Sequence, residues 1–274
     1  MYDVITVGSS TIDVFAKTQY SELIKLKGCE LLAYPCGTKI LVEQLEFTTG
    51  GGATNTAVCL RRLGLKVACI TKTGDGANAQ KVIRHLKKEN IDTSLIVKDP
   101  KGRTGYSIIL DSIEHDRTIL TFKGSSNDLK FTELDRAALK TTWFYFCTMM
   151  GDSFVTLKKL AEYAEKNKIK IAFNASPYLA KKGIGYSKEI LKRTDLFVLN
   201  KEEARLMAKK EKIEDCLKAL QKICKDCSCY RWKKQHLCIR RQFCLFYNST
   251  QGKGGRNNRR RRCVCINTRC SDDP

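Results

Sequence analysis

Three groups of residues in this 274-residue chain have the types and spacing for ligand chemistry. The first is Gly50-Gly51-Gly52-Ala53-Thr54-Asn55, three glycines running directly into a helical pattern. Such a turn takes positive φ freely, brings backbone close to a ligand and leaves helix N–H groups unpaired nearby. The second is Asp13, in Gly8-Ser9-Ser10-Thr11-Ile12-Asp13. The pattern puts this carboxylate just beyond the C-terminal end of the first strand, where open α/β sheets bind ligands. The third is Asn200-Lys201-Glu202-Glu203, at the end of an apolar run. Each group has a structural rival. Asp13 can brace its strand end, Asn55 can be a helix N-cap, and Asn200 with Glu203 has the spacing of a capping box.

The elements that must position these residues alternate. YDVITVG, KVACIT, TSLIVK, WFYFCTM, KIKIAFN and DLFVLN are short runs dense in Val, Ile and aromatics, as buried parallel strands are. Between them NTAVCLRRLG, QKVIRHLKKEN, SFVTLKKLAEYAEKN and IEDCLKALQKIC have helical spacing. NTAVCLRRLG is expected to place Ala57, Leu60 and Leu63 on one face and to stop at Gly64. The alternation predicts βαβ units around a mostly parallel sheet. One segment departs from it: TGYSIILDSIEHDRTILTF reads as two strands joined by a polar turn around Glu114 to Asp116. That is an antiparallel arm, suited to covering a site and equally to packing or dimerisation.

In this order and on these elements, residues 1–224 resemble the ribokinase-like (PfkB) family of sugar and nucleoside kinases. The family's Gly-Gly, three residues, Asn signature is similar to Gly50 through Asn55, and its Asn-x-x-Glu motif to Asn200 through Glu203. The resemblance implies a three-layer α/β sandwich with a β lid over residues 104–122. It implies that Asp13 and Asn55 hold substrate hydroxyls while Gly50 and Gly51 let the chain approach the substrate. It also implies that Asn200 and Glu203 organise Mg²⁺ and phosphate, with ATP as donor and a small sugar or nucleoside as acceptor. A homodimer through the lid is the assembly such an arm allows.

The likeness stops near Cys224. The family's Gly-Ala-Gly-Asp motif supplies an anion hole for the transferring phosphoryl group and a base for the attacking hydroxyl. No Gly-Ala-Gly-Asp occurs in the 274 residues. Residues 225–274 instead hold 13 Lys and Arg against 3 Asp and Glu, 7 of the 14 cysteines, and neither Ala nor Glu. One reading is a basic metal-binding module: Cys224, Cys227 and Cys229 with Cys263, Cys265 and Cys270 as zinc ligands, and Arg259 to Arg262 against phosphates. Its spacing matches no common zinc finger. That reading would make the chain a nonenzymatic sugar- or nucleic-acid-binding protein.

The genetic code offers the other reading. An Arg codon read one base downstream, before a second Arg, becomes GN(A/C), which encodes only Gly, Ala, Val, Asp or Glu. Arg259 to Arg262 therefore permit Gly-Ala-Gly-Asp, placing the missing base near Arg262. Gly255 to Asn258 permit Val-Glu-Thr-Thr, and Cys263 to Cys265 permit Ala-Phe-Ala. Upstream, Lys225 to Trp232 permit Lys-Ile-Val-Val-Val-Thr-Asp-Gly, with the last Gly forced by the single Trp codon, and Cys238 to Gln242 permit Val-Tyr-Asp-Gly-Asn. The agreement in order and spacing identifies 225–274 as an out-of-frame tail and the chain as a truncated kinase, inactive as written. Restoring the frame near codon 225 is expected to extend the protein beyond Pro274.

Composition narrows the rest. The net charge of +21 suggests nucleic acid at first sight, but +10 of it lies in the aberrant tail, which argues against nucleic acid as a partner. No apolar run reaches the length of a membrane span, and MYDVITVGSS has no leader pattern, so a cytoplasmic protein without membrane attachment is expected. Cys29, Cys36, Cys59, Cys69, Cys147 and Cys216 have no ligand spacing and are expected as small buried apolar residues.

Overall fold

The computed structural model describes residues 1–27, 29–111 and 117–224, and beyond them the backbone of three strands, 226–231, 235–239 and 244–247. The chain opens with β1 (Tyr2–Val7), β2 (Thr11–Lys17), β3 (Glu22–Leu26), β4 (Cys29–Ala33) and β5 (Gln44–Gly50). Helix α1 (Gly52–Arg62), β6 (Val67–Ile70), β7 (Lys72–Gly74), α2 (Ala77–Lys88), β8 (Val97–Asp99), β9 (Gly105–Asp111) and β10 (Arg117–Phe122) follow. Then come β11 (Thr141–Phe146), α3 (Asp152–Lys166), β12 (Lys170–Asn174), α4 (Pro177–Ala180), α5 (Gly183–Leu191), β13 (Leu196–Asn200), α6 (Lys201–Ala208) and α7 (Ile213–Gln221). The last described strands are β14 (Asp226–Arg231), β15 (Gln235–Ile239) and β16 (Cys244–Tyr247).

The central sheet has the order β16-β15-β14-β13-β12-β11-β1-β6 and is parallel from β14 through β6. Both faces are covered, which is why its strands read as near-continuous apolar runs. Side chains alternate across it. Ile5, Val7, Phe144, Phe146, Phe173 and Phe197 pack with Phe154, Leu157 and Leu160 of α3. Val4, Val67, Cys69, Tyr145 and Ala172 pack on the other face with Ala53, Ala57 and Leu60 of α1 and Val82 and Leu86 of α2. The rings of Phe173 and Phe197 stack across β12 and β13 at 5.2 Å. The result is the expected three-layer α/β sandwich.

The expected arm is present: β9 and β10 pair antiparallel from Asp111↔Arg117 to Tyr106↔Phe122. It belongs to a larger lid, a four-stranded sheet ordered β10-β9-β2-β5. The residues of its turn, 112–116, lie outside the described residues.

Three expectations are corrected. Asp13 follows the C-terminal end of β1 within a strand of its own, β2, on the lid sheet, because Gly8 to Ser10 turn the chain out of the central sheet. TSLIVK is not a strand of the central sheet. Asp92 accepts the Ser94 N–H (2.8 Å), an Asx turn that leaves only Val97–Asp99 extended, beside β7. Leu63 is 65% exposed. At about 100° per residue the buried face of α1 continues from Ala53 through Ala57 and Leu60, and Leu63 has rotated off it. Cys36 is exposed and Cys59 half-buried, whereas Cys69, Cys147 and Cys216 are buried as expected; the Cys29 side chain lies outside the described residues.

Strand pairing also continues further than the apolar periodicity indicates. β14 runs parallel to β13 from Leu196↔Asp226 to Asn200↔Tyr230, and β15 and β16 continue it antiparallel. An unpaired β13 would leave a row of unsatisfied N–H and C=O groups beside α6 and α7, and β14 occupies that edge. β14 coincides with the stretch whose shifted codons permit Ile-Val-Val-Val.

Candidate active site

The lid sheet is two-sided, and its register fixes which residues share a side. Asp13 lies between Thr48 of β5 and Ser107 of β9. One step along, Thr11 lies between Gly50 and Gly105. These residues form a polar face. The opposite face carries Ile12, Val14, Phe47, Ile108, Leu120 and Phe122. On the polar face the Thr11 hydroxyl donates to Asp13 Oδ1 at 2.8 Å. Asp13 also lies against the bare Cα of Gly50: a Cβ there would come within 1.9 Å of Oδ2. Glycine at position 50 is thus the space the carboxylate occupies.

Gly51 makes the turn into α1 with φ of 95°, a conformation that disfavours L side chains, and a Cβ on it would meet the Ser9 carbonyl at 2.3 Å. The turn is pinned from below. The Ala53 N–H donates to the Ser9 carbonyl (3.1 Å), and the buried hydroxyls of Ser10 and Thr54 are 2.7 Å apart. The N-cap of α1 is Gly51, without a side-chain cap, so Asn55 is not the cap. Asn55 stands one turn into the helix, exposed, its side chain without a hydrogen bond among the described residues.

Asn200 and Glu203 do form the capping box. Asn200 Oδ1 accepts the Glu203 N–H at 2.7 Å, and Glu203 Oε2 accepts the Asn200 N–H at 2.9 Å. Glu203 is 6% exposed, at the C-terminal end of β13. Mg²⁺ takes oxygen ligands, keeps several waters and uses few protein carboxylates. A carboxylate held rigidly at a strand end fits that indirect role. Among the described residues no cluster of three His, Cys, Asp or Glu side chains forms a metal cage. Cys224 is a core residue whose thiol donates to the Leu220 carbonyl at 3.2 Å. The side chains of the other tail cysteines, and Arg259 to Arg262, lie outside the described residues. So does the expected base near Arg262.

Two residues at the site were not singled out by sequence reasoning. Lys123 directly follows β10, and extending the β9–β10 register brings it onto the polar face beside Gly105. Its ammonium is 5.3 Å above the ring centroid of Tyr178, on α4. Burial lowers its pKa below the usual lysine value, and the nearby Asp13 charge pulls it partly back up. The alternation of TILTFK carries a signal for Lys123, since it places Thr121 and Lys123 on one side of the strand. Tyr178 meets the site only through the fold. Nearby Cys147, packed against Gly8 and Gly52, and Cys69 are core thiols; burial pushes Cys69 up to about 12. A recess of about 360 Å³ lined by Tyr2, Asp3, Lys66 and Asp92 lies at the opposite, N-terminal ends of β1 and β6. Open parallel sheets bind ligands at the other end.

Comparison with known proteins bears on the fold and the family. A deoxyribokinase of Salmonella typhi is 26% identical over 206 residues, covering 75% of this chain and 62% of that protein. The chain thus spans about three fifths of the length of that relative. A ribokinase from Thermotoga maritima has the same fold, with a TM-score of 0.76 at 18% identity over 92% of this chain and 80% of its own. An adenosine kinase from Sinorhizobium meliloti matches with a TM-score of 0.75 at 15% identity over 92% and 81%. The family model described as pfkB family carbohydrate kinase matches residues 1–228, carrying the likeness into β14. The chain belongs to the pfkB family of carbohydrate kinases.

Proposed function

We propose that the frame-restored form of this protein transfers the γ-phosphoryl group of ATP, with Mg²⁺, to a hydroxyl of a sugar or nucleoside. The 274-residue chain keeps the acceptor half and does not catalyse the transfer. The observation that carries this reading is the polar lid face, where Asp13 is seated on Gly50 across the turn from the exposed Asn55. A carboxylate accepts hydrogen bonds from hydroxyls, and an amide both donates and accepts, so the pair suits a polyol. ATP would supply the phosphoryl group, and Asn200 and Glu203 would help hold its magnesium. The lid excludes bulk water. What the chain as written lacks is the base and anion hole that the shifted codons of Arg259 to Arg262 permit. Losing both removes positioning and transition-state charge stabilisation together.

Asp13→Ala in the frame-restored protein tests the acceptor role. Losing hydrogen bonds to a charged partner, about 1.5–3 kcal/mol, lowers acceptor kcat/KM roughly ten- to a hundred-fold, with ATP binding unchanged. Unchanged acceptor kinetics would reassign Asp13 to bracing β2.

The assembly that accompanies this reading is a homodimer through the lid. Leu45, Phe47, Leu120 and Phe122 are each more than half exposed, with Ile108 beside them, an apolar face larger than scattered surface residues provide.

A further inference from the structure

We propose that the acceptor is anionic: Lys123 binds a carboxylate or phosphate group of the sugar while Asp13 and Asn55 take its hydroxyls. The inference rests on reading the Asp13 face as the acceptor site.

Three elements converge on the Lys123 ammonium. The end of β10 supplies it, Asp13 of β2 lies within electrostatic range, and Tyr178 of α4 presents its ring at 5.3 Å. The lid register puts Gly105 between Lys123 and Thr11, so nothing rises from the sheet between the ammonium and the polar residues of β2. A Cβ at Gly105 would come within 2.8 Å of the Thr11 methyl. Lys123 is half-buried, yet among the described residues it makes no hydrogen bond or ion pair. An ammonium has three donors, and leaving them unpaired away from water is costly. The Tyr178 ring attracts the cation but takes none of its N–H groups. By contrast, the buried Lys72 has two acceptors, donating to Glu133 Oε1 at 2.7 Å and the Asp128 carbonyl at 3.1 Å. Among the described residues Lys123 is a half-buried cation on the acceptor face whose donors are unused, and an anion supplies what Asp13, already hydrogen-bonded to Thr11, does not.

Isothermal titration of the 274-residue chain with D-ribose, ribose 5-phosphate, D-glucose and D-gluconate tests this, and the two anions separate phosphate from carboxylate. If that chain does not melt cooperatively, the same titrations use the frame-restored protein. At least one anionic sugar is expected to bind tenfold or more tightly than its neutral parent. Lys123→Met is expected to abolish that preference and Lys123→Arg to retain most of it. Neutral parents binding as well as both anions, a preference unchanged in Lys123→Met, or no binding of any of the four would overturn the proposal. Asp13→Ala separates the two readings. If it weakens all four sugars while Lys123→Met leaves their ratios untouched, only the anion proposal fails. If it changes nothing, the acceptor site itself is misassigned, and this proposal falls with it.

Discussion

At the scale of single residues, the site depends on what Gly50 and Gly51 lack. The space of a Gly50 side chain is filled by the Asp13 carboxylate, and that of Gly51 by the Ser9 carbonyl. A side chain can rotate away and a backbone carbonyl cannot, so the two positions should respond differently to alanine. Gly50→Ala is expected to displace Asp13 and weaken acceptor binding with little change in Tm. Gly51→Ala, at φ of 95°, is expected to cost about 1–3 kcal/mol of stability in thermal unfolding. Equal and small effects at both sites would mean that the turn relaxes and that neither glycine is required. The glycines, Asp13 and Asn55 were legible in the sequence because a Gly-rich turn and a helix start leave local signals. Lys123 and Tyr178 were not picked out. Their meeting depends on how the end of β10 comes to lie beside α4, which no local pattern encodes.

At the scale of elements, Asn200 illustrates a residue whose structural role is visible and whose chemical role is proposed. Its Oδ1 caps α6 and the Glu203 carboxylate returns the bond. Replacing such a cap with alanine costs about 0.5–2 kcal/mol, while aspartate caps equally well. Asn200→Ala should therefore lower stability by about 1 kcal/mol, and Asn200→Asp should leave it unchanged. In the frame-restored protein, Asn200→Asp is expected to reduce kcat at least tenfold, because an added negative charge repels the phosphates it is proposed to help position. Full turnover in Asn200→Asp would leave Asn200 a cap only. Helices α1, α2, α3 and α7 and strands β1, β6, β11, β12 and β13 were readable from periodicity, whereas α4, α5 and α6 were not drawn from it. The lid strands β2 and β5 carry a strand signal that went unread: Ile12 and Val14 alternate with Thr11 and Asp13, and Leu45 and Phe47 with Glu46 and Thr48. β14 was missed for a different reason: Asp-Cys-Ser-Cys-Tyr-Arg has no apolar period, and its pairing is imposed by the open edge of β13.

At the scale of the whole molecule, two surfaces define how the chain behaves. The apolar lid face predicts self-association: sedimentation should give a dimer that dissociates in a Phe47→Glu, Leu120→Glu double variant. A monomer before substitution would remove the dimer and leave the kinase reading intact. The other is the side of the central sheet beyond β13, where the family match ends within β14 at residue 228 and the composition changes. We propose that the base and anion hole which this pfkB-family chain lacks are encoded one frame away. The most direct measurement is ATP-dependent phosphorylation of a panel of sugars and nucleosides by two proteins side by side, the unaltered 274 residues and the product of a gene restored near codon 225. Turnover by the restored protein and none by the unaltered chain is the expected result. Turnover by the unaltered chain, or a restored protein that contains no Gly-Ala-Gly-Asp and phosphorylates nothing, would contradict it.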